Sequence, residues 1–546
     1  MAAKLPTVAY FCMEYALQSG FKIYSGGLGI LAGDYFKGVK DHGYPMVGIG
    51  IRWKQGYGEQ MVDPATGKVF DAYRTGQHGF LEDTKVTVKV EIKGREVLVK
   101  VWKVQSFGVD SLYLLDTDIE GNDGEARWIT GQLYGWFGEE RVAQEMVLGI
   151  GGVRALQALK LKPQVYHFNE GHALFAGFEL IRRRMARGAA FADAWAKTRA
   201  EVVFTTHTPI VQGNESHPIE RFMYMGANLG LTRAQLKQLG GSPFNMTVGG
   251  LRLSRIANAV ADLHRVTANA MWKGVKGRCP IIGITNAIHR PTWVDPKILE
   301  LAEASVKSPA RKKALWDRHM DNKRKLIAFV AERNGVQLDA DALLIGFSRR
   351  AAPYKRSNFI FTERKFIEPL LQAGKLQIVF SGKAHPLDDN GKAIVEDILE
   401  MTRRYPGRVV FLENYDMEIG AMLTRGSDVW LNNPRRPKEA SGTSGMKAAM
   451  NGVLNLSILD GWWPEACEHG VNGWQFGDGY ENRKEALLDQ HDFKAFKKVL
   501  AEEVLPTYYD RREQWIDMMV RSVQSTRDTF AVKRMLDEYY ERMYKA

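Results

Sequence analysis

The sequence predicts an α/β fold of two doubly wound domains facing a central cleft, and three observations carry that expectation. The chain has 546 residues, more than one hydrophobic core organises, so two large domains are expected. Short apolar runs that close in polar or glycine-rich turns alternate with helical stretches, the pattern of a parallel sheet covered on both faces. This alternation breaks off at a polar helical segment, about Pro296 to Asn334, and then starts again.

In chain order, Val8-Ala9-Tyr10-Phe11 is a β-type run, and Val165-Tyr166-His167-Phe168 and Val202-Val203-Phe204-Thr205 repeat its character. Glu145 to Leu159 carries Val147, Ile150, Val153 and Leu156 at helical spacing. Lys85 to Leu115 is mostly alternating strand and reads as an antiparallel elaboration. These elements define an N-terminal α/β domain, residues 1–295. The second domain, 296–546, resumes with Leu343-Leu344-Ile345-Gly346-Phe347, then Ile378-Val379-Phe380, Val409-Val410-Phe411-Leu412, Val429-Trp430-Leu431 and Leu454-Asn455-Leu456. Such short, largely apolar runs suit buried parallel strands. The tail from Arg511 to Ala546 reads as a long amphipathic helical stretch with Trp515, Met519, Val523 and Phe530 among its apolar positions. Ligands of such domains meet the carboxyl ends of the strands.

The formal charge of +12 raises nucleic acid as a partner. The basic residues are dispersed, however, and Arg182-Arg183-Arg184 builds no aromatic-interleaved stripe. Arg311-Lys312-Lys313 and Lys323-Arg324-Lys325 lie in the polar helical segment and read as a solvated face. A small anionic substrate and an anionic cofactor explain the excess at least as well, so no nucleic acid is expected. Cys12, Cys279 and Cys467 are odd in number and lack metal-type spacing, which argues for a reducing compartment and against a zinc site. Met1 to Thr7 has no apolar core of signal-peptide length, and no run approaches a membrane span. The expected location is the cytoplasm.

The most informative segment is Glu439-Ala440-Ser441-Gly442-Thr443-Ser444-Gly445-Met446-Lys447-Ala448-Ala449-Met450-Asn451-Gly452. Small and hydroxyl residues lead into a helix expected to begin near Gly445, whose amino end suits a phosphate. The spacing does not fit the nucleotide P-loop, which needs Gly-Lys-Ser/Thr. A capped helix with Lys447 on a solvated face is the alternative.

This segment resembles the signature of the glycogen, starch and maltodextrin phosphorylases, the α-glucan phosphorylase family, here in a short form. In that family the lysine matched by Lys447 forms the aldimine with pyridoxal phosphate. Sugar-nucleotide glycosyltransferases of similar fold carry a glutamate eight residues after the first, where this chain has Lys447 after Glu439. Further stretches resemble the family in its chain order. Tyr24-Ser25-Gly26-Gly27-Leu28-Gly29 is similar to its phosphate-facing glycine loop. Thr206-His207-Thr208 resembles the stretch whose histidine contacts the sugar, and Asn169-Glu170-Gly171-His172 a set beside the site. Thr285-Asn286-Ala287 up to Trp293 matches the segment with a sugar-binding asparagine and a tryptophan near the cofactor. Arg349-Arg350-Ala351-Ala352-Pro353-Tyr354-Lys355-Arg356 resembles its basic loop. Ser381-Gly382-Lys383-Ala384-His385-Pro386 and Glu413-Asn414-Tyr415 are further matches.

The resemblance implies two Rossmann-like domains of the glycogen-phosphorylase or GT-B type. It implies reversible transfer of a glucosyl unit from the non-reducing end of an α-1,4-glucan to orthophosphate, giving α-glucose 1-phosphate with retention. It assigns Lys447, Arg350, Lys355, His207 and Glu439 to catalysis, and Lys447, Thr443, Ser444, Arg349, Lys355, Gly27 and Trp293 to the cofactor. Gly26, Gly27, Leu28, His207, Asn286, Arg350, Tyr354, Glu439, Ser441 and Gly442 would meet substrate. No metal is implied, and a homodimer is compatible. The alternatives are a synthase-type glycosyltransferase using a sugar nucleotide and a catalytically inactive glucan-binding protein. The chain departs from the family at Arg349, where lysine is common, at Asp416, where many members have arginine, and over Pro209 to His217, which does not align. No amino-terminal regulatory extension is expected, because the first strand starts almost at once.

Overall fold

The computed structural model describes residues 5–210, 213–303 and 308–545. The chain separates into two compact units. The first holds the chain up to Gly58, Tyr73–Thr285 and the chain from Met535; the second holds Glu59–Ala72 and Asn286–Arg534. The expected boundary at 295/296 treats the domains as consecutive pieces, whereas two segments here run against chain order. The physical reasons lie in what each segment satisfies. Glu59–Val62 and Val69–Ala72 form a hairpin in which Gln60 exchanges hydrogen bonds with the Ala384 backbone at 3.2 and 2.8 Å, and Lys68 pairs with Glu396 at 2.7 Å. The final segment buries Tyr539, Tyr540 and Tyr544 in the first unit.

The strands of the first unit are β1 (Val8–Phe11), β2 (Met46–Ile51), β3 (Glu82–Ile92), β4 (Arg95–Val104), β5 (Leu112–Asp116), β6 (Val165–Asn169), β7 (Val202–Thr205), β8 (Ile256–Ala259) and β9 (Ile281–Gly283). Among the described residues they make a nine-stranded sheet in the order β9-β8-β7-β6-β1-β2-β5-β4-β3. The strands from β9 to β5 run parallel, and β4 and β3 add antiparallel strands at the edge. The elaboration expected over Lys85 to Leu115 is this edge, except that its last strand, β5, returns parallel beside β2. The helical stretch expected from Glu145 to Leu159 begins earlier, at Glu139, and passes through one wider turn at Val147–Gly151. A Cβ on Gly149 would lie 2.5 Å from the Ala176 backbone nitrogen, so only glycine allows that close approach.

The second unit carries β10 (Leu343–Ser348), β11 (Leu376–Ser381), β12 (Val409–Leu412), β13 (Val429–Asn432), β14 (Leu454–Ile458) and β15 (Gly473–Phe476). They form a parallel sheet in the order β12-β11-β10-β13-β14-β15. Alternation divides each strand between two faces. Leu343, Ile345 and Phe347 pack with Ile367, Leu371, Val395 and Phe496, whereas Leu344 joins Leu326, Val330, Leu423 and Ala448 from helices on the other side. Both faces are covered, which is the doubly wound arrangement. The polar helical segment is Pro296–Glu303 and Pro309–Asn334, residues 304–307 lying outside the described set. Its run Lys323-Arg324-Lys325 is not wholly solvated. Lys323 is fully buried and donates to Asp428 at 2.6 Å, to the Ala342 carbonyl at 2.7 Å and to the Tyr508 hydroxyl at 2.9 Å. No helix among the described residues is long and apolar enough to cross a membrane.

Candidate active site

In both sheets the strand order reverses beside the first strand of the unit, between β10 and β13 in one and between β1 and β6 in the other. Loops leaving the carboxyl ends of such neighbours diverge and leave a crevice. In the second unit β10 delivers Arg349, Arg350, Tyr354 and Lys355, β13 delivers the segment from Glu439 to Lys447, and β14 delivers Asp460.

Glu439 is the centre of the charge arrangement. Its carboxylate accepts hydrogen bonds from Arg349 Nη2 and Lys355 Nζ, and all three side chains are less than a tenth exposed. Burial pushes the Glu439 carboxyl up, but the positive charges of Arg349, Lys355 and Arg350 outweigh it and hold the group below the usual carboxylate range. The expected phosphate ligand Lys355 and the expected sugar ligand Glu439 are therefore partners. Arg350 stands exposed at the loop edge. Asp460, which the sequence reading did not single out, accepts the backbone N–H of Glu439 at 2.9 Å and that of Gly461 at 2.8 Å. Burial, and then the negative charge of Glu439, push Asp460 up to about 8.

The turns that make this possible need glycine. Gly442 has φ 86° and stands at the start of the helix Thr443–Met450, two residues earlier than expected, where no side chain caps the amino end. Gly461 has φ 60°, and a Cβ there would sit 2.2 Å from the Ser441 carbonyl oxygen. The Trp462 N–H donates to that carbonyl at 2.9 Å, locking the two loops together. Lys447 is not on a solvated face. It is 3% exposed, with its ammonium 3.3 Å from the centre of the fully buried Trp293 ring. Trp293 is fixed through its carbonyl, which accepts from Arg425 Nε at 2.9 Å and Asn451 Nδ2 at 3.1 Å. Buried polar atoms are nearly always paired. Ser441 Oγ and Asn286 Oδ1, both buried, are not, which suits a hydroxyl-rich ligand. Asp416, the departure from arginine, caps the helix Met417–Gly426 by accepting the Ile419 N–H at 2.9 Å.

In the first unit Gly26 and Gly27 open the helix Gly27–His42, again without a side-chain cap. Cβ atoms built on Gly26 or Gly27 meet nothing within 4 Å, so packing does not demand these glycines. The loop is held by Glu14, another residue the sequence reading missed. It accepts the Ser25 N–H at 2.6 Å, the Gly26 N–H at 3.2 Å and the Tyr134 hydroxyl at 3.0 Å, and burial still raises its carboxyl. His207 follows β7 and bonds through Nε2 to Asn169 Oδ1 at 2.6 Å. Burial, and then the nearby His264 and His172, lower it to about 3, so it stays neutral. Glu170 holds φ at 71° and accepts the His207 N–H at 2.7 Å; burial lifts it to about 7. A non-glycine residue in that conformation is strained, and such strain gathers at functional sites. The stretch Pro209 to His217 includes residues 211 and 212, which lie outside the described residues.

Polar clusters at the reversal points of two doubly wound sheets, with uncapped helix starts and a lysine buried against indole, define an α/β protein equipped to hold anions. Comparison makes this more specific. Residues 282–470 match the family described as carbohydrate phosphorylase. The maltodextrin phosphorylase of Thermococcus litoralis is 38% identical, the match covering 98% of this chain and 70% of that protein. The glycogen phosphorylase of Aquifex aeolicus is 35% identical over 98% of this chain and 86% of its own length. An uncharacterized protein of Methanocaldococcus jannaschii is 37% identical over 98% and 99%. The chain belongs to the carbohydrate phosphorylase family.

Proposed function

We propose that this protein is an α-glucan phosphorylase that transfers terminal glucosyl units of an α-1,4-glucan, such as glycogen, starch or maltodextrin, reversibly to orthophosphate, yielding α-glucose 1-phosphate with retention. The observation that carries the reading is Lys447, eight residues after Glu439 and buried against Trp293 on an uncapped helix. A sugar-nucleotide synthase would have glutamate at that position, and this alternative is not favoured.

Lys447, with Trp293, Thr443, Ser444, Arg349, Lys355 and Gly27, would hold pyridoxal 5′-phosphate. That group, when bound, supplies a phosphate able to exchange a proton with substrate phosphate. The uncapped amino end at Gly442 and the buried amine support that fit, and the orphaned Ser441 Oγ and Asn286 Oδ1 suit the hydroxyls of the glucosyl unit. The residues present position charge. Two phosphates of roughly double charge about 5 Å apart repel by roughly 13 kcal/mol at an effective dielectric of about 20, so several cations must act together. Arg350, Lys355 and Arg349 supply them, with backbone N–H groups from Gly26, Gly27 and Leu28 and from the 443–450 helix. His207, Asn286, Tyr354, Glu439, Ser441 and Gly442 hold the glucosyl unit. Neutral His207, with Nε2 committed to Asn169, presents the sugar with a hydrogen-bonding group rather than a charge.

A GT-B type fold belongs to the same proposal, with the glycine loop and glucan elements in the first unit and the cofactor lysine in the second. So do a cytoplasmic location, supported by three free cysteines, and a homodimer. The test is phosphate-dependent release of glucose 1-phosphate from maltodextrin, with borohydride reduction and peptide mapping in parallel. Cofactor trapped at a lysine other than 447, or release that does not depend on phosphate, would overturn the reading.

A further inference from the structure

The run Arg182-Arg183-Arg184 does not share one fate. Arg184 is spent inside its own unit, donating to Glu201 at 2.6 Å and to the Thr198 hydroxyl at 2.8 Å. Arg182 and Arg183 turn instead to Glu179, one turn back on the helix Phe175–Met185. Arg182 donates through Nε and Nη2 at 2.7 and 2.8 Å, and Arg183 through Nε at 3.0 Å. Arg154, from the separate helix Gly152–Ala158, reaches the same carboxylate at 3.2 Å through both Nε and Nη2. The Glu179 side chain is completely buried. Burial pushes its carboxyl up, but hydrogen bonds and charge from Arg182, Arg154 and Arg183 bring it down to about 2.

One carboxylate thus faces three guanidiniums. With exposed Arg187, Gln157 and Ala186 these residues line a surface pocket of about 390 Å³, within the size range of small-molecule sites. Four guanidiniums against a single carboxylate leave the pocket strongly positive. Basic residues in the last turn of a helix also complement its dipole, which accounts for a run of arginines at the end of Phe175–Met185. It does not account for Arg154 converging from another helix. Arg183 commits only its Nε–H to Glu179, so its two Nη groups remain for a ligand, and the planar fork matches phosphate oxygens.

We propose that this pocket is a binding site for a small phosphorylated anion, separate from the candidate active site. The separation follows from the topology. The pocket draws on the helices Gly152–Ala158 and Phe175–Met185, and the neighbouring Arg184 bonds Glu201, immediately before Val202, which pairs with Tyr166 near the start of β6. The candidate active-site residues Asn169 and Glu170 lie at the other end of that strand.

The test is calorimetric titration of pyrophosphate and, separately, ribose 5-phosphate into the wild type, an Arg183→Gln/Arg187→Gln double variant and an Arg350→Gln variant. Arg154 and Arg182 still serve Glu179 in the double variant, so its thermal midpoint stays near the wild-type value. At least one probe is expected to bind the wild type and Arg350→Gln alike and the double variant about tenfold or more weakly. Preference for pyrophosphate marks an inorganic ligand, and preference for ribose 5-phosphate a phosphorylated metabolite. Absence of binding to the wild type, equal binding to the double variant, or loss of binding only in Arg350→Gln overturns the proposal. None of these outcomes depends on glucan turnover, so the proposed activity stands or falls apart from it.

Discussion

At Glu439 two buried cations share one carboxylate, and this changes what a substitution there does. Glu439→Gln leaves Arg349 and Lys355 without their counter-charge, and breaking a buried pair costs about 3 kcal/mol or more. The thermal midpoint should fall, and millimolar phosphate should restore more of it in the variant than it adds to the wild type. Equal phosphate shifts in differential scanning fluorimetry would show that these cations do not serve phosphate. Turnover efficiency with glucose 1-phosphate should drop roughly tenfold or more. Lys447→Ala should lose cofactor absorbance and activity together; full cofactor content in the variant would remove Lys447 from its proposed role. Asp460 makes a pH prediction. Its carboxyl, raised from 3.8 to about 8 by burial and then Glu439, binds its proton more tightly in the folded state. Its contribution to stability is whole below about pH 4 and is lost as the pH rises toward about 8. Asp460→Asn should flatten the decline of stability across that range by at most about 1.4 kcal/mol per pH unit, read from denaturant melts. At this scale the sequence shows Lys447 and Glu439 because both stand in one short segment. Asp460 and Glu14 were illegible, since their importance lies in which backbone N–H groups they accept, and those belong to loops distant in sequence or sharply turned.

At the scale of elements, glycines separate fold from function. Gly33 lies where a Cβ would be 1.9 Å from the Ala16 carbonyl oxygen, while Gly27 at the start of the same helix has open space. Gly33→Ala should destabilise the protein by about 1–3 kcal/mol or more through forced backbone movement. Gly27→Ala should keep its melting temperature and weaken orthophosphate in the phosphorolysis assay. A stable Gly33→Ala variant, or a Gly27→Ala variant with unchanged orthophosphate KM, would contradict this division. Most long apolar runs were legible as strands; Val8–Phe11, Val202–Thr205 and Val409–Leu412 have the bounds their residues suggest. Strands such as Ile281–Gly283 and Gly473–Phe476 were not, because a few residues with glycine give no periodicity and are held by neighbours. The residues suggest a helix start near Gly445, later than Thr443, because an αL glycine, not a side chain, ends the loop before it.

At the scale of the molecule, the two sheets were visible as two runs of β-type segments, but the exchange of segments between the units was not. Amphipathicity tells that the tail buries one face, and says nothing about which unit receives it. The receiving surface is specific. The Tyr544 hydroxyl lies 2.6 Å from His167 Nδ1 and 2.6 Å from the Tyr35 hydroxyl, and Asn258 Nδ2 donates to Tyr539 at 2.8 Å. Removing residues 535–546 should therefore lower the calorimetric transition of the first unit while that of the second keeps its midpoint. Equal shifts of both transitions would mean that the tail's role is not confined to the first unit.

The same tail sets an order of events at the ribosome. The chain of the first unit is translated through Thr285, yet its last pieces follow only after the whole of Asn286–Arg534. At synthesis rates of about 5–20 residues per second that interval is on the order of tens of seconds. During it the nascent first sheet exposes the aromatic surface around Tyr10, Tyr35 and His167 that the tyrosines of the tail will cover. Vectorial synthesis thus makes this half, which emerges before the other, the last to be completed.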